Sequence, residues 1–275
     1  MIHLKTPEEI ELIRIACKEL SLWMEECIHN LEYAHSFTNG EDVRNNLDYY
    51  FIDLNKKYEG NVWTRPFSYQ VNEGNELFAS PVCISVNDAI VHGRPTKEPF
   101  EYEDIITVDA GLAYHGWCAD MARTVSFKKK GRPAHSLIEH TREALYAAYD
   151  QCKPGNTLKD ISTAIYSVAK AHKLGVIVDY MGHGIGKSLH EEPRISNQPG
   201  LFPQYDSVVL RPGMVFCIEP MFVMGKGQTV LAPDKWKIWT QDGSLAAHFE
   251  SEILITEDGC EILTKLEGEY PKEKK

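Results

Sequence analysis

Apolar residues recur at three- and four-residue spacing from Ile13 through Ala16, Cys17, Leu20, Trp23, Met24, Cys27 and Ile28 to Leu31, which predicts one helix with a single buried stripe. Thr6-Pro7-Glu8-Glu9 opens that helix with the elements of a capping box: a threonine able to accept an orphan amide, proline at the first helical position, and a glutamate that reaches back. Thr38 to Glu41 repeats the signal ahead of a second helix that is expected to end near Gly60. Residues 133–152 and 157–172 read as a helix pair split by Lys153-Pro154-Gly155-Asn156. Between helices, apolar runs predict strands at Val82–Val86, Ile105–Tyr114, 117–127, Val215–Ile218 and 251–255.

Two stretches echo each other. The run ending Ile105-Ile106-Thr107-Val108-Asp109 is like the run ending Val215-Phe216-Cys217-Ile218-Glu219, and Asp120-Met121-Ala122-Arg123-Thr124-Val125 is like Glu250-Ser251-Glu252-Ile253-Leu254-Ile255. Each places an acid beside an apolar strand, so the expectation is two half-units of sheet and helix whose acids meet between them. The basic run Lys128-Lys129-Lys130-Gly131-Arg132 reads as a solvated strand-to-helix turn, and the charged tail 266–275 as frayed.

Composition narrows the function. The 275 residues, 43% hydrophobic and 25% charged, are enough to bury a large core, which excludes a disordered scaffold. A net charge of -11 repels phosphate backbones and anionic lipid, so neither nucleic acid nor a membrane surface is an expected partner. It also leaves room for a carboxylate cluster neutralised by a bound cation. The seven cysteines are scattered, with no pair spaced as in a zinc ribbon, and read as reduced thiols. The N-terminus has no basic start followed by an apolar stretch, and no apolar run approaches membrane-spanning length; a cytoplasmic protein is expected.

The chemistry concentrates in a few acids and histidines. Asp109 and Asp120 lie on two strand runs joined near His115-Gly116; an even loop length places them on one face, opposite or diagonal. Two like charges so close destabilise a hairpin unless a proton or a cation intervenes, although acids on a solvated face would also fit the spacing. Gly182-His183-Gly184 sets glycines about a histidine, letting backbone approach a ligand closely, and His190 follows seven residues later. Glu219 ends an apolar strand ahead of Pro220, and Glu250 stands at the mouth of another. Four carboxylates and an imidazole are hard-to-borderline ligands, suited to Mn, Fe, Co or Zn held without thiolates.

Taken together, Val82-Cys83-Ile84-Ser85-Val86 with His92-Gly93, the Asp109/Asp120 hairpin, Gly182-His183-Gly184, His190-Glu191-Glu192-Pro193, Ile218-Glu219-Pro220-Met221 and Glu250 resemble type I methionine aminopeptidases in identity and order, from about Lys5 to Leu266. The resemblance implies an α+β pita-bread fold, two pseudo-symmetric halves of curved antiparallel sheet covered by helices, within one catalytic domain spanning 1–265. It implies removal of the initiator methionine from nascent polypeptides and peptides, with the ribosome as the place of encounter, by a monomer. It further implies that Asp109, Asp120, His183, Glu219 and Glu250 bind two divalent ions, Asp120 and Glu250 spanning both, with a metal-activated hydroxide as nucleophile. In this reading Glu219 shuttles the proton, His190 stabilises the oxyanion, His92 hydrogen-bonds the scissile amide, and Cys83, Phe78 and Trp236 line the methionine pocket.

Several positions depart from the family pattern. Residues 63–81 are unlike the usual glycine- and tyrosine-rich segment, Leu189 replaces an aromatic residue, Cys217 stands where threonine is frequent, and Gly111 where a hydroxyl residue is common. These bear on pocket shape and metal tuning and leave the ligand set complete. Xaa-Pro aminopeptidases and prolidases share the fold and a similar five-ligand site, but usually carry a large N-terminal domain for which a helix starting at Thr6 leaves no expected room. A non-catalytic binder of chain termini is the other alternative, and such relatives have lost ligand residues.

Overall fold

In the computed structural model the described residues are 2–63, 80–126 and 133–269. Helix α1, Pro7–His29, is capped as its sequence predicts: the Glu9 amide donates to Thr6 Oγ1 while the Thr6 amide donates to the Glu9 carboxylate. Its stripe from Ile13 to Ile28 is buried, and a π turn, Asn30–Ala34, extends the burial to Leu31. Helix α2, Gly40–Lys57, starts one residue later than the capping signal suggests. Asn39 is the cap, accepting from the Asp42 amide, because Asp42 and not Glu41 reaches back to the Thr38 amide and hydroxyl. It also ends short of Gly60. Helices α3, Pro133–Tyr149, and α4, Leu158–His172, form the expected pair, and α5, Pro203–Asp206, is a single turn.

The strands are β1 (Val62–Trp63), β2 (Val82–Val86), β3 (Ala89–Val91), β4 (Ile105–Tyr114), β5 (Trp117–Ser126), β6 (Gly175–Val176), β7 (Gly182–Gly184) and β8 (Glu191–Ile195). They continue with β9 (Val215–Ile218), β10 (Met221–Val223), β11 (Thr229–Leu231), β12 (Ile238–Thr240), β13 (Ala246–His248), β14 (Glu250–Ile255) and β15 (Cys260–Ile262). The main sheet is antiparallel in the order β1-β4-β5-β14-β9-β7-β8, with β2 also on β4 and β15 also on β14. Small ladders β13-β10-β6 and β11-β12-β3 complete the strand set.

The sequence echo now has a spatial meaning. Strands β5 and β14 lie side by side at the middle of the sheet, flanked by β4 and β9, so the two similar pairs are related about the β5/β14 junction. This is the pita-bread arrangement, an α+β fold with two pseudo-symmetric halves. Strand β9 shows how tightly it is enclosed: Val215 and Cys217 join the apolar cluster of α1, α2, β2 and β4, while Phe216 and Ile218 join that of α3 and α4. A strand buried on both sides reads as a continuous apolar run, which is what its sequence shows.

The tail is not frayed over the residues described. Arg123 is buried on β5, and the Glu269 carboxylate meets it with two hydrogen bonds of 2.6 and 2.7 Å, because a buried guanidinium requires an anionic partner. Phe78, Phe127, the basic run and residues 270–275 lie outside the described residues.

Candidate metal centre

Five chain segments deliver the site. The β4/β5 hairpin turns through two residues, His115 and Gly116, at φ of 48° and 80°. Asp109 pairs with Ala122 and Gly111 with Asp120, so the two aspartates sit diagonally on one face, as the even loop predicts. Glu250, the first residue of β14, also pairs with Ala122 from the other side. Glu219 follows the last residue of β9, where Pro220 ends the strand. His183 is the centre of β7, and its glycine neighbours are required sterically: a Cβ on Gly182 would lie 2.3 Å from the Cys217 carbonyl oxygen, and one on Gly184 2.1 Å from that of Glu192.

That close packing aims the imidazole. His183 Nδ1 meets the Gly184 carbonyl at 3.0 Å, which assigns the ring proton to Nδ1 and leaves the Nε2 lone pair free. Nε2 lies 3.9 Å from Asp120 Oδ2 and 3.8 Å from both Glu219 Oε1 and Glu250 Oε1. Asp109 lies within electrostatic reach of Asp120, Glu219 and Glu250, raising the pKa of each.

All four acids are buried. Burial pushes Asp109 up to about 7, and burial with mutual repulsion holds Asp120, Glu219 and Glu250 well above the usual carboxylate range. The imidazoles move the opposite way. Burial lowers His183 to about 3; desolvation by the surrounding protein lowers half-buried His92 and the more exposed His190 each to about 4, so all three are neutral at physiological pH. Asp109 Oδ1 and Glu250 Oε1 have no hydrogen-bond partner among the described residues. Clustered acids with unsatisfied oxygens facing a neutral imidazole are what a divalent cation neutralises, and the oxygen-rich, one-nitrogen donor set fits such an ion.

The remaining predicted residues surround this group. His190 meets the His183 ring edge-on at 4.3 Å. His92 adopts φ of 58° and stands edge-on to Tyr180 at 5.8 Å. The next residue has to be glycine, since a Cβ on Gly93 would lie 2.1 Å from the Ile84 carbonyl oxygen. Cys83 pairs with Asp109 across β2 and β4; it and Trp236 are buried in the same apolar cluster, with the Arg94 guanidinium 5.5 Å from the Trp236 ring centre.

Three further residues at the centre were not singled out as site residues by sequence reasoning. Cys217 offers its sulfur to the group of Asp120, His183 and Glu250, with burial holding the thiol neutral. Glu252 is fully buried, pushed up to about 8 chiefly by burial, and accepts the Asp120 amide at 3.3 Å. His248 lies 3.6 Å from Glu219 Oε2. The alternation of positions 248, 250 and 252 was a signal, since residues two apart along extended chain share a face.

The sequence profile of metallopeptidase family M24 matches residues 11–257. A methionine aminopeptidase of Mycoplasma capricolum is 43% identical over 218 residues, covering 78% of this chain and 85% of that protein. The crystal structure of a methionine aminopeptidase from Thermotoga maritima superposes with a TM-score of 0.84 at 37% identity, covering 96% of this chain and 100% of that one. A prolidase from Pyrococcus furiosus gives a TM-score of 0.66 at 27% identity, covering 96% of this chain and 66% of that one.

Proposed function

Because the chain belongs to metallopeptidase family M24, we propose that Asp109, Asp120, His183, Glu219 and Glu250 would hold two divalent ions in its methionine aminopeptidase site. The activity is removal of the N-terminal methionine of proteins and peptides, and it depends on metal. The observation that carries the ligand assignment is the convergence of buried Asp120 from β5, Glu219 from the end of β9 and Glu250 from β14 on the Nε2 side of His183, with buried Asp109 of β4 within electrostatic reach of all three acids. The likeness to methionine aminopeptidases is stronger than that to the prolidase in both sequence and superposition, which favours methionine over a proline-directed specificity.

When bound, the ions supply Lewis acidity that lowers the pKa of water toward neutrality, polarises the scissile carbonyl and anchors the free amine. The chain's residues supply the rest. Glu219 takes the proton from the attacking water and delivers it to the leaving amine. His190 donates to the carbonyl oxygen as it gains negative charge, and His92 hydrogen-bonds the scissile amide; both rings are neutral at physiological pH, each able to donate through one nitrogen. Cys83 and Trp236 line the pocket for a flexible thioether.

Mn, Fe, Co and Zn all suit the donor set. The same proposal has the chain act as a cytoplasmic monomer on nascent chains at the ribosome, with 1–265 as its single catalytic domain. No described helix is long and apolar enough to cross a membrane. Mass spectrometry of peptides beginning Met-Ala, Met-Lys and Ala-Pro, with and without chelator, tests the function. Methionine released from the Met-Ala peptide alone, and not after chelation, is expected; cleavage confined to the Ala-Pro peptide overturns the reading.

A further inference from the structure

His248 is fully enclosed, yet neither of its ring nitrogens has a hydrogen-bond partner among the described residues. A neutral imidazole carries one donor and one acceptor, and burial with both unmet is unfavourable unless a ligand takes one of them. Its position is fixed by two chain segments that also fix the acids. In the β10/β13 ladder it pairs with Met221, two residues beyond Glu219, and it lies two residues before Glu250.

The distances form a pattern. His248 Nε2 lies 3.6 Å from Glu219 Oε2 and 3.9 Å from Glu250 Oε2. His183 Nε2 lies 3.8 Å from Glu219 Oε1 and 3.8 Å from Glu250 Oε1. Each of the two carboxylates thus turns one oxygen toward one imidazole and the other oxygen toward the second. None of these separations is a hydrogen bond. The spacing around His248 repeats that around His183, and ligand atoms of Glu219, His248 and Glu250 all lie within 4.8 Å of one another.

We propose that His248 is a sixth protein ligand of the metal centre, its Nε2 binding an ion together with Glu219 Oε2 and Glu250 Oε2. This rests on the metal reading above and extends the ligand set inferred from family resemblance. A second imidazole shifts the centre toward cations that favour nitrogen, such as Co, Zn and Fe, over Mn.

The test uses Co2+ added to the chelator-stripped full-length protein. In proton NMR, exchangeable imidazole N–H signals strongly shifted by direct bonding to cobalt are expected from two rings, and H248Q is expected to remove one of them. Glutamine keeps a hydrogen-bond donor at the position, so a merely orienting role survives the change. By titration calorimetry H248Q weakens one Co2+ site by more than about 100-fold, beyond the 10–100-fold that loss of an orienting partner gives. A smaller loss, or bonded-ring signals from one histidine only in the unaltered protein, overturns the proposal. If H248Q does not fold, the count of bonded rings in a protein carrying H140Q and H172Q, which removes the separate His140, Glu143 and His172 group, decides the matter: one ring only overturns the proposal and two support it. Failure of the unaltered protein to take up any Co2+ is a different result, which removes the metal reading itself.

Discussion

Replacing Asp109 with asparagine tests whether the four acids are held together against their own repulsion for the sake of a cation. In the metal-free fold the Asp109 carboxyl rises from its ordinary 3.8 to about 7 because it is buried. At about 1.4 kcal/mol per pKa unit, that difference corresponds to about 4 kcal/mol. The sign follows from proton binding: the folded state holds this proton more tightly than the unfolded chain, so the stabilising contribution is complete below about pH 4 and is lost as pH rises through about 7. Asparagine is neutral throughout and as bulky as the acid. Metal-free Asp109→Asn is therefore expected to exceed the unaltered protein in stability by up to about 4 kcal/mol near pH 8, the advantage shrinking below about 1 kcal/mol near pH 4. It also removes a charge that raises Asp120, Glu219 and Glu250, which adds to the gain at high pH. Urea unfolding of chelator-stripped protein across this range, followed by tryptophan fluorescence, measures the difference. With saturating divalent metal the order reverses, because the unaltered protein gains binding energy that the variant has lost, and methionine release is abolished in the variant. A variant no more stable than the unaltered protein near pH 8, or an advantage independent of pH, refutes the reasoning.

Two further outcomes are expected. Gly184→Ala forces a methyl group to within 2.1 Å of the Glu192 carbonyl oxygen, so β7 must shift at a cost of about 3 kcal/mol. For a chain of this size that lowers Tm by roughly 6–12 °C in a thermal scan, and an unchanged Tm would show that the strand has room. His190→Ala removes the donor assigned to the developing oxyanion and should lower kcat by about 100- to 1000-fold with KM little altered; steady-state kinetics with kcat preserved would take His190 out of that role.

Local signals were enough for the features that depend on neighbours in sequence. The capping box at Thr6 formed as written because its hydrogen bonds link residues only three apart. The diagonal of Asp109 and Asp120 followed from the period of a strand and the parity of a two-residue loop. The start of α2 was misplaced by one residue: the signal was read at Thr38 to Glu41, whereas Asn39 is the cap and Asp42, not Glu41, reached back. The echo between the β4/β5 and β9/β14 segments correctly implied paired halves, but only the β5/β14 contact in the middle of the sheet says how they meet.

What the sequence determined by itself was the donor chemistry, the strands that carry or adjoin the four acids, though not β7 that carries His183, and the family whose order of motifs it shares. Tertiary structure alone decided which atoms face which. The buried Arg123 meets Glu269 across 146 positions of sequence, so no local pattern could show that the start of the charged tail is tied down. Cys217, Glu252 and His248 reach the acids through strand pairing and burial. Sequence periodicity can place such residues on a face of a strand, but the face opposite them is supplied by distant chain. The exchange of carboxylate oxygens between His183 and His248 therefore becomes visible only when β7, β9, β13 and β14 come together.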